Sequence, residues 1–227
     1  MYCDTSKLSI RQIDKPTAKK MVVKYHYSKL WTKCSVALGL FIDTGKQHSF
    51  FDEQEEKMIG VIVYGDPIGR LTGQSISDEI KRTEVLELTR LFIHDGYGSN
   101  IESWFISQSF NWLRKNKSEI KALISYASPV EGHSGTIYQA TNWIYQGNEI
   151  GTGDAYMYRY PNTDNWLSDR AIGEQLGTNG LKAVLSKIPD MEYKRKLRKH
   201  RYIYFLCSKK EKKRLMGEIK HPLLSYG

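Results

Sequence analysis

One arginine stands among apolar residues in a segment whose alternation is typical of a β-strand. On this predicted strand Arg90 follows Leu88 and precedes Phe92 in the alternation, so it carries a charge toward a mostly apolar face. Burial of a guanidinium is costly unless the group is paired, and its planar set of donors matches a carboxylate or a phosphate. We therefore expect Arg90 to bind an anionic group; the alternative is a structural ion pair with Glu87 or Glu102.

Four further side chains have the chemistry of acids, bases or hydrogen-bond donors. The hydroxyl of Tyr138 can donate a proton to a leaving group, and Ser103, near the start of a predicted helix, can donate to a phosphate or a carbonyl. His26 can act as a base or a metal ligand, and Tyr27 follows it at the end of the first predicted helix. The structural alternatives are a core aromatic for Tyr138, a helix cap for Ser103 and a surface or capping histidine for His26.

A mononuclear iron site would need two histidines and one carboxylate close together. The candidate ligands are His26, His94 and His133, together with Asp66 or Asp95. Their spacing does not itself indicate a metal, so the sequence leaves the requirement for iron open.

The elements that must position these side chains alternate between strands and helices. The segment 84–127 is one strand–helix–strand crossover, which is right-handed by default. The order of elements predicts an α/β (α+β) fold with a mixed central sheet flanked by helices. Strands are predicted at 7–13, 35–42, 57–64, 84–93, 121–127, 143–146, 155–160 and 202–207, and helices at 17–27, 101–116, 135–142, 181–187 and 190–200.

Composition excludes several classes of protein. The chain has 227 residues, 40% of them hydrophobic, which is ordinary for a globular protein. Cys3, Cys34 and Cys207 include no CxxC pair, which predicts reduced thiols rather than a disulfide framework or a zinc ribbon. No apolar run approaches the roughly 20 residues that a membrane helix needs, and no signal peptide is visible. We expect a cytoplasmic protein without a membrane partner.

Positive charge is concentrated near the C-terminus. Residues 182–220 carry 14 Lys and Arg against four Asp and Glu, a net charge of +10, whereas the rest of the chain has a net charge of −1. Such asymmetry is typical of a protein that binds a polyanion such as DNA; the alternative is a solvated basic helix face. The candidate DNA-binding residues are Lys194, Arg195, Lys196, Arg198, Lys199, Arg201 and Arg170.

The order of elements resembles the GNAT-type N-acetyltransferase fold, and a set of short motifs resembles the Mom family of bacteriophage DNA-modification proteins more specifically. The match covers most of the chain in the right order, including the basic end. The motifs are His26-Tyr27-Ser28, Leu86-Glu87-Leu88-Thr89-Arg90, Asn100-x-Glu102-Ser103, Ser125-Tyr126-Ala127-Ser128-Pro129, Gly132-His133-x-Gly135-x-Ile137-Tyr138-Gln139-Ala140-Thr141-Asn142, and Lys199-His200-Arg201-Tyr202-Ile203-Tyr204-Phe205.

The GNAT resemblance implies a donor-binding loop and a proton-donating tyrosine. In that family a loop and the following helix N-terminus hold the cofactor pyrophosphate, and a tyrosine often protonates the departing thiolate; the matching tyrosine here is Tyr138. The family's loop begins with Gln or Arg, and Ile93 stands at that position. The donor-binding residues that the resemblance implies are Gly96, Gly98, Ser99 and Asn100.

The Mom resemblance implies a reaction on DNA. Members of that family attach a carbamoylmethyl (acetamido) group to N6 of adenine in duplex DNA, which shields phage DNA from restriction. The resemblance implies catalytic roles for Arg90, Ser103, Tyr138, His26 and Tyr27. It also implies a substrate pocket with His133, Ser128 and Asn142, where Ser128 replaces the Asp of the family's pattern.

Three functions follow, from different classes. The first is a phage-type DNA adenine-modifying transferase, with a catalytic core at 1–160 and a basic, DNA-contacting extension at 161–227 packed on it. Its small donor is unidentified, either glycine-derived or similar to an acyl-CoA. The second is an acyl-CoA-dependent N-acetyltransferase acting on a protein or a small amine. The third is a non-catalytic DNA-binding protein. Oligomeric state and target sequence context stay open.

Overall fold

A computed structural model describes residues 4–45, 56–129, 135–148 and 156–226 of the chain. The helices are α1 Lys15–Tyr25, α2 Ile101–Asn116, α3 Thr136–Gln139, α4 Asp169–Leu176, α5 Leu181–Lys187 and α6 Lys209–Gly217. The strands are β1 Leu8–Gln12, β2 Val36–Asp43, β3 Glu56–Gly65, β4 Val85–Ile93, β5 Ala122–Ala127, β6 Ile144–Tyr145, β7 Tyr156–Arg159, β8 Leu167–Ser168, β9 Glu192–Arg195 and β10 His200–Phe205. None of the described helices is long and apolar enough to cross a membrane.

Seven strands form the main sheet in the order β1-β2-β3-β4-β5-β10-β6. All neighbouring pairs are antiparallel except β4 and β5, which are parallel and joined through α2. The predicted fold class, an α/β fold with a mixed central sheet flanked by helices, is confirmed.

Helices cover both faces of this sheet because the strand residues alternate between two apolar sets. Leu38 and Ile62 pack with the buried stripe of α2, whereas Ala37 and Val61 pack with α1. The α2 stripe recurs at helical spacing, as the sequence predicts. The helix α6 lies on the α1 side, where Leu215 packs beneath β5 and β10.

The strand predicted at 155–160 does not close the main sheet. It is β7, the middle strand of a second, three-stranded sheet in the order β8-β7-β9. This small sheet has its own core of Tyr158, Ile172, Val184 and Met191, contributed by the sheet, α4 and α5. The residues between Pro161 and Leu181 therefore belong to a packed unit rather than to a polar linker.

The prediction of a helix at 190–200 is wrong. The structure has β9 there, then an extended loop, and then β10. In this segment Met191 is buried, but Leu197 is 62% exposed, so the segment has no apolar stripe that could hold a helix on the core. Pairing of β9 with β7 satisfies the backbone instead, with Tyr193 opposite Tyr158.

The C-terminal segment is also part of the main sheet. Strand β10 lies between β5 and β6 and is buried over most of its length. The segment predicted as an extension, 161–227, thus supplies an interior strand of the main sheet and the two outer strands of the small sheet, whose middle strand β7 precedes residue 161.

Candidate active site

A cavity of 590 Å³ opens where β4 and β5 separate. The two strands pair only from Val85 opposite Ala122 to Glu87 opposite Ile124, and both continue beyond that point. Since the gap passes through the sheet, side chains from both of its faces can reach the cavity. The lining comes from the end of α1, from β4, from the end of β5 and from α3, and includes Tyr25, His26, Tyr27, Leu88, Arg90, Asp95, Glu102, Tyr126, Ser128, Gly135 and Tyr138.

A β-bulge in β4 aims Arg90 into this cavity. Val63 pairs with Arg90, but Tyr64 pairs with Leu88, so Thr89 is the extra residue. The Thr89 hydroxyl donates to the Val63 carbonyl over 3.1 Å. The bulge moves Arg90 off the face of Leu88, where strict alternation had predicted it, because one extra residue reverses the faces that follow.

Arg90 is half-buried and held by backbone carbonyls. Its Nε donates to the Leu30 carbonyl over 3.1 Å, and its Nη1 donates to the Thr89 carbonyl over 2.6 Å. Burial lowers the pKa of Arg90, and the nearby Tyr27 and Glu87 oppose this effect. The guanidinium therefore stays charged, with donors still available for an anionic or carbonyl group in the cavity.

From the sequence, Glu87 was considered only as an ion-pair partner of Arg90. In the structure it is a partly buried carboxyl group on the same face of β4 as Arg90. Because of the bulge, Glu87 and Arg90 pair with Gly65 and Val63, which share one face of β3. Burial raises the pKa of the Glu87 carboxyl, while Lys199 and Arg90 oppose the rise. A carboxylate between leucines on a buried strand is the signal that could have identified it.

Replacing Glu87 with glutamine is expected to leave the free energy of unfolding at pH 7 unchanged or higher. The raised pKa means that burial disfavours the ionised carboxylate, and glutamine removes that charge at nearly constant shape. Urea unfolding at pH 7 and at pH 4 measures this. The difference in the free energy of unfolding between the variant and the native chain should be larger at pH 7 than at pH 4, because a raised pKa makes the native chain lose stability as the pH rises. A clear loss of stability of the variant at pH 7 would contradict the burial of this carboxyl group.

Tyr138 lies on the α2 side of the same cavity in a chain of hydrogen bonds. Its hydroxyl is 2.8 Å from the Ser125 Oγ, which is 2.9 Å from the Leu88 carbonyl. When Ser125 donates to that carbonyl, its oxygen accepts from Tyr138. Burial raises the pKa of Tyr138 to about 12, so the phenol keeps its proton at neutral pH. Gly135 lies so close to the Tyr202 ring that an added Cβ would overlap it, and the Tyr202 ring packs against that of Tyr138.

Replacing Ser125 with alanine is expected to destabilise the protein by about 1–3 kcal/mol, because it removes buried hydrogen bonds. The Ser125 hydroxyl can turn to donate to an ionised Tyr138, which lowers the pKa of Tyr138, so loss of this hydroxyl should raise that pKa further. Urea unfolding and spectrophotometric titration of the tyrosines measure the two effects. A stable variant with unchanged tyrosine titration would contradict the hydrogen-bond chain.

His26 and Tyr27 lie at the end of α1 and line the cavity. His26 is buried, and its Nδ1 accepts from the Ser28 backbone N–H over 3.1 Å and contacts the Ser28 hydroxyl at 2.9 Å. These contacts place the proton of a neutral His26 ring on Nε2. Tyr27 is 58% exposed and its ring lies 4.2 Å from that of His26, centroid to centroid.

Ser103 does not line this cavity. It lies at the start of α2, where its hydroxyl donates to the Asn100 carbonyl over 2.9 Å, so it does not accept from a free N–H of the first turn as a capping side chain would. With Ser99 and Asn100 it borders a separate cavity of 320 Å³. Gly96 and Gly98 form the preceding loop with φ of 94° and 104°, values that L side chains rarely adopt.

The remaining candidates are dispersed. Ser128 lines the larger cavity, whereas Asn142 is exposed in the turn after α3. His133 lies outside the described residues. His94 packs against the rings of Tyr25 and Phe92. Within the described ranges no three His, Cys, Asp or Glu residues are grouped so that they could hold a metal ion.

The basic residues occupy a strand and a loop rather than a helix. Lys194 and Arg195 are exposed on β9, and the Lys194 Nζ lies 4.2 Å from the centroid of Trp166. Lys196 pairs with Asp169 at 3.2 Å. Lys199 is exposed and Arg198 half-buried in the loop to β10; of Arg170 only the backbone is described.

Arg201 is not on the surface with the other cations. It is 4% exposed on β10, and its Nη2 donates to the Ser75 hydroxyl over 2.9 Å. Its Nε has no hydrogen-bond partner among the described atoms. Alternation along β10 points Arg201 inward, because helices and turns cover both faces of this strand, so it cannot contact a DNA backbone as predicted.

The loop 196–199 connects the small sheet to the cavity rim. It leads from β9 into β10, where His200 pairs with Ala127, a residue of the cavity lining. Four residues separate Arg195 from His200, so the two Cα atoms are at most about 17 Å apart. This loop thus joins the exposed cations of β9 to a strand that ends beside the cavity lining.

Comparison with known proteins gives one family and one curated relative. The family model described as the Mom protein family matches residues 7–226. The chain is 26% identical over 215 residues to "Methylcarbamoylase mom" of Escherichia phage Mu, covering 93% of this chain and 80% of the phage protein.

Similar solved structures are N-acetyltransferases at low identity. A spermidine/spermine N-acetyltransferase from Vibrio cholerae is 7% identical, covers 92% of this chain and 98% of its own, and has a TM-score of 0.47. A GNAT family N-acetyltransferase from Escherichia coli, in complex with CoA, is 9% identical, covers 88% and 82%, and has a TM-score of 0.45. The assignment of this chain to a family therefore depends on the Mom family match, which spans nearly the whole chain.

Proposed function

The chain belongs to the Mom protein family, and from this premise we propose that it is a transferase that modifies DNA and adds a carbamoylmethyl group to N6 of adenine. The name of the phage Mu relative, a methylcarbamoylase, supports this reaction type. The observation that carries the proposal is the cavity that Arg90 and Tyr138 both line, from opposite faces of the sheet. In a phage-infected bacterium the site of action is the host cytoplasm, and the modified DNA resists restriction.

For this reaction the enzyme must above all position the adenine N6 amine. The N6 amine is a poor nucleophile because its lone pair is delocalised into the ring, and in a duplex it is also stacked and paired. The adenine must therefore leave the stack to reach the cavity. We propose that His26 and Tyr27 contact the extruded base, because both line the cavity where α1 ends.

Arg90 and Tyr138 act on the donor. In this proposal the Arg90 guanidinium holds the donor's carboxylate or phosphate, while the N6–C bond forms at the donor's methylene carbon and the bond from that carbon to the leaving group breaks. Tyr138, whose phenol stays protonated at neutral pH, gives its proton to the leaving group. The proton that N6 loses when the new C–N bond forms passes to a carboxylate of the cavity lining, for which Asp95 and Glu102 are the candidates.

The size of the donor decides whether the loop before α2 takes part. A glycine-derived donor fits within the larger cavity. A donor similar to an acyl-CoA would extend beyond it, and Gly96, Gly98, Ser99, Asn100 and Ser103 are then the residues that we propose for its phosphates, through backbone N–H groups at the start of α2.

Protection from restriction tests the function in cells. Plasmid DNA from bacteria that express the chain should resist endonucleases whose sites contain adenine, and should stay sensitive to an endonuclease whose site contains only G·C pairs. Equal cleavage by both kinds of endonuclease, in cells with abundant folded protein, would contradict the proposal.

We further propose that the segment 161–227 holds the duplex near the cavity. Lys194 and Arg159 both contact the ring of Trp166, at 4.2 Å and 5.0 Å from its centroid, so this surface of the small sheet is basic and fixed in position. The loop 196–199 continues the positive charge to the cavity rim. Phosphate contacts of this kind position a duplex without reading its sequence.

Replacing Lys194 with alanine is expected to weaken DNA binding and to lower the slope of log K against log salt concentration by about 0.9, the value for one phosphate contact. Fluorescence anisotropy with a labelled duplex at several salt concentrations measures this. Lys210→Ala is the matched control, because it removes an equal exposed charge from α6, which follows β10 at the end of the sheet away from the cavity. Equal slopes for the two variants would contradict the proposed surface.

A further inference from the structure

The turn that follows α1 is stiff and is built on the buried His26. The Lys29 backbone N–H donates to the His26 carbonyl over 2.9 Å, and the Ser28 N–H donates to the His26 ring. Lys29 has a φ of 48°, in the left-handed region, so the chain reverses sharply there. The residue that follows, Leu30, is therefore held in a defined place.

The side chain and the backbone carbonyl of Leu30 lie in different environments. Its side chain is exposed, at 66%, although it is aliphatic. Its backbone carbonyl accepts a hydrogen bond from the Arg90 Nε over 3.1 Å, so the residue is joined to the wall of the cavity. Ile68 and Leu71 are also exposed, but Leu30 is the one bonded directly to the candidate catalytic arginine.

The surroundings of Leu30 favour a polyanion over an apolar protein partner. Lys24, Lys29 and Lys33 are all exposed around the turn. An exposed apolar side chain flanked in sequence by exposed lysines, and bonded through its carbonyl to the wall of the cavity, matches the way in which proteins hold a deformed duplex: cations contact the phosphates, and the apolar group enters between bases.

A duplex that loses one adenine from its stack has a gap, and leaving it open costs a few kcal/mol of stacking and pairing. We propose that the Leu30 side chain enters this gap and keeps the adenine out of the helix while His26 and Tyr27 hold it. This inference rests on the proposed function and adds a positioning residue to it. The hydrogen bond from Arg90 to Leu30 would fix the distance between the gap and the site of transfer.

Permanganate oxidation tests the inference without knowledge of the target sequence, because it attacks thymines that are unstacked. A mixed-sequence plasmid is incubated with the full-length native chain, and reactive thymines are mapped. We compare Leu30→Ala, Leu30→Met, which keeps a long apolar side chain, and Leu223→Ala. Leu223 is 46% exposed in the C-terminal tail, next to Leu224, which pairs with the edge strand β6.

The native chain, Leu30→Met and Leu223→Ala should expose thymines opposite extruded adenines. Leu30→Ala should lower this reactivity at least about tenfold, the change that corresponds to about 1.4 kcal/mol, while its affinity for DNA changes less. Reactivity retained in Leu30→Ala would overturn the inference. Modified adenine in cells without reactive thymines for the native chain would overturn it too, and leave the proposed function standing. Absence of both DNA binding and modification would overturn both.

Discussion

Replacing Arg90 with alanine is expected to lower the initial rate of DNA adenine modification by about a hundredfold to a thousandfold, the range for loss of a preorganised charge-stabilising donor. Arg90 is charged, half-buried and lines the cavity, and its position is set by two carbonyls, those of Leu30 and Thr89. Lysine at this position keeps the charge but cannot bond both carbonyls and an anion in one plane. We therefore expect Arg90→Lys to lose most of the activity as well. The measurement is the fraction of modified deoxyadenosine against time after induction.

The control for Arg90 is Arg11→Ala. Arg11 pairs with Glu56 on the exposed edge of the sheet, and such surface pairs contribute about 1 kcal/mol or less to stability. This variant should modify DNA at the native rate. Native activity in Arg90→Ala, with DNA binding and folding unchanged, would show that the cavity does not hold the donor through this arginine.

Replacing Tyr138 with phenylalanine is expected to slow modification about a hundredfold or more, the usual range for loss of a general acid. The ring stays in place, because it packs against Trp143 and Tyr202, and Ser125 can still donate to the Leu88 carbonyl. Stability should therefore fall by only about 1 kcal/mol, which separates lost chemistry from lost folding.

Alkaline pH gives an independent test of Tyr138. Its folded pKa is raised from 10.0 to about 12, so the folded state binds the proton more tightly than the unfolded state does. The contribution of this phenol to stability is complete below pH 10 and is lost as the pH rises toward about 12. The free energy of unfolding should fall less steeply above pH 10 in Tyr138→Phe than in the native chain. Parallel curves would contradict a buried, protonated phenol at this position.

Most of the main sheet could be predicted because its strands are continuous apolar runs. The segments 35–42, 57–64 and 121–127 match β2, β3 and β5 within one or two residues, and α2 matches its predicted bounds. Buried strands and amphipathic helices leave such patterns whatever surrounds them. The strand β9 in the basic segment was harder to predict, because its four residues are all exposed and leave no apolar pattern. Only its pairing with β7, a long-range contact, makes it a strand.

Several residues of the site could be predicted from the sequence, but their arrangement in space could not. Arg90 was identified from its charge on an apolar strand, yet its direction depends on the bulge opposite Val63 and Tyr64. A bulge depends on the pairing of two strands, so one strand's alternation cannot show it. Ser103 was placed with Arg90 from its position near a helix start, but the structure puts it on a separate cavity. The pairing of Arg201 with Ser75 likewise depends on a turn far away in sequence.

The most direct measurement is mass spectrometry of nucleosides from the DNA of bacteria that express the chain, beside the Arg90→Ala and Tyr138→Phe variants. We expect a deoxyadenosine species that is heavier by one carbamoylmethyl group in the native sample and is nearly absent in both variants. Unmodified deoxyadenosine alone, from cells with abundant folded native chain, would contradict the assignment of this cavity as a site of DNA adenine modification.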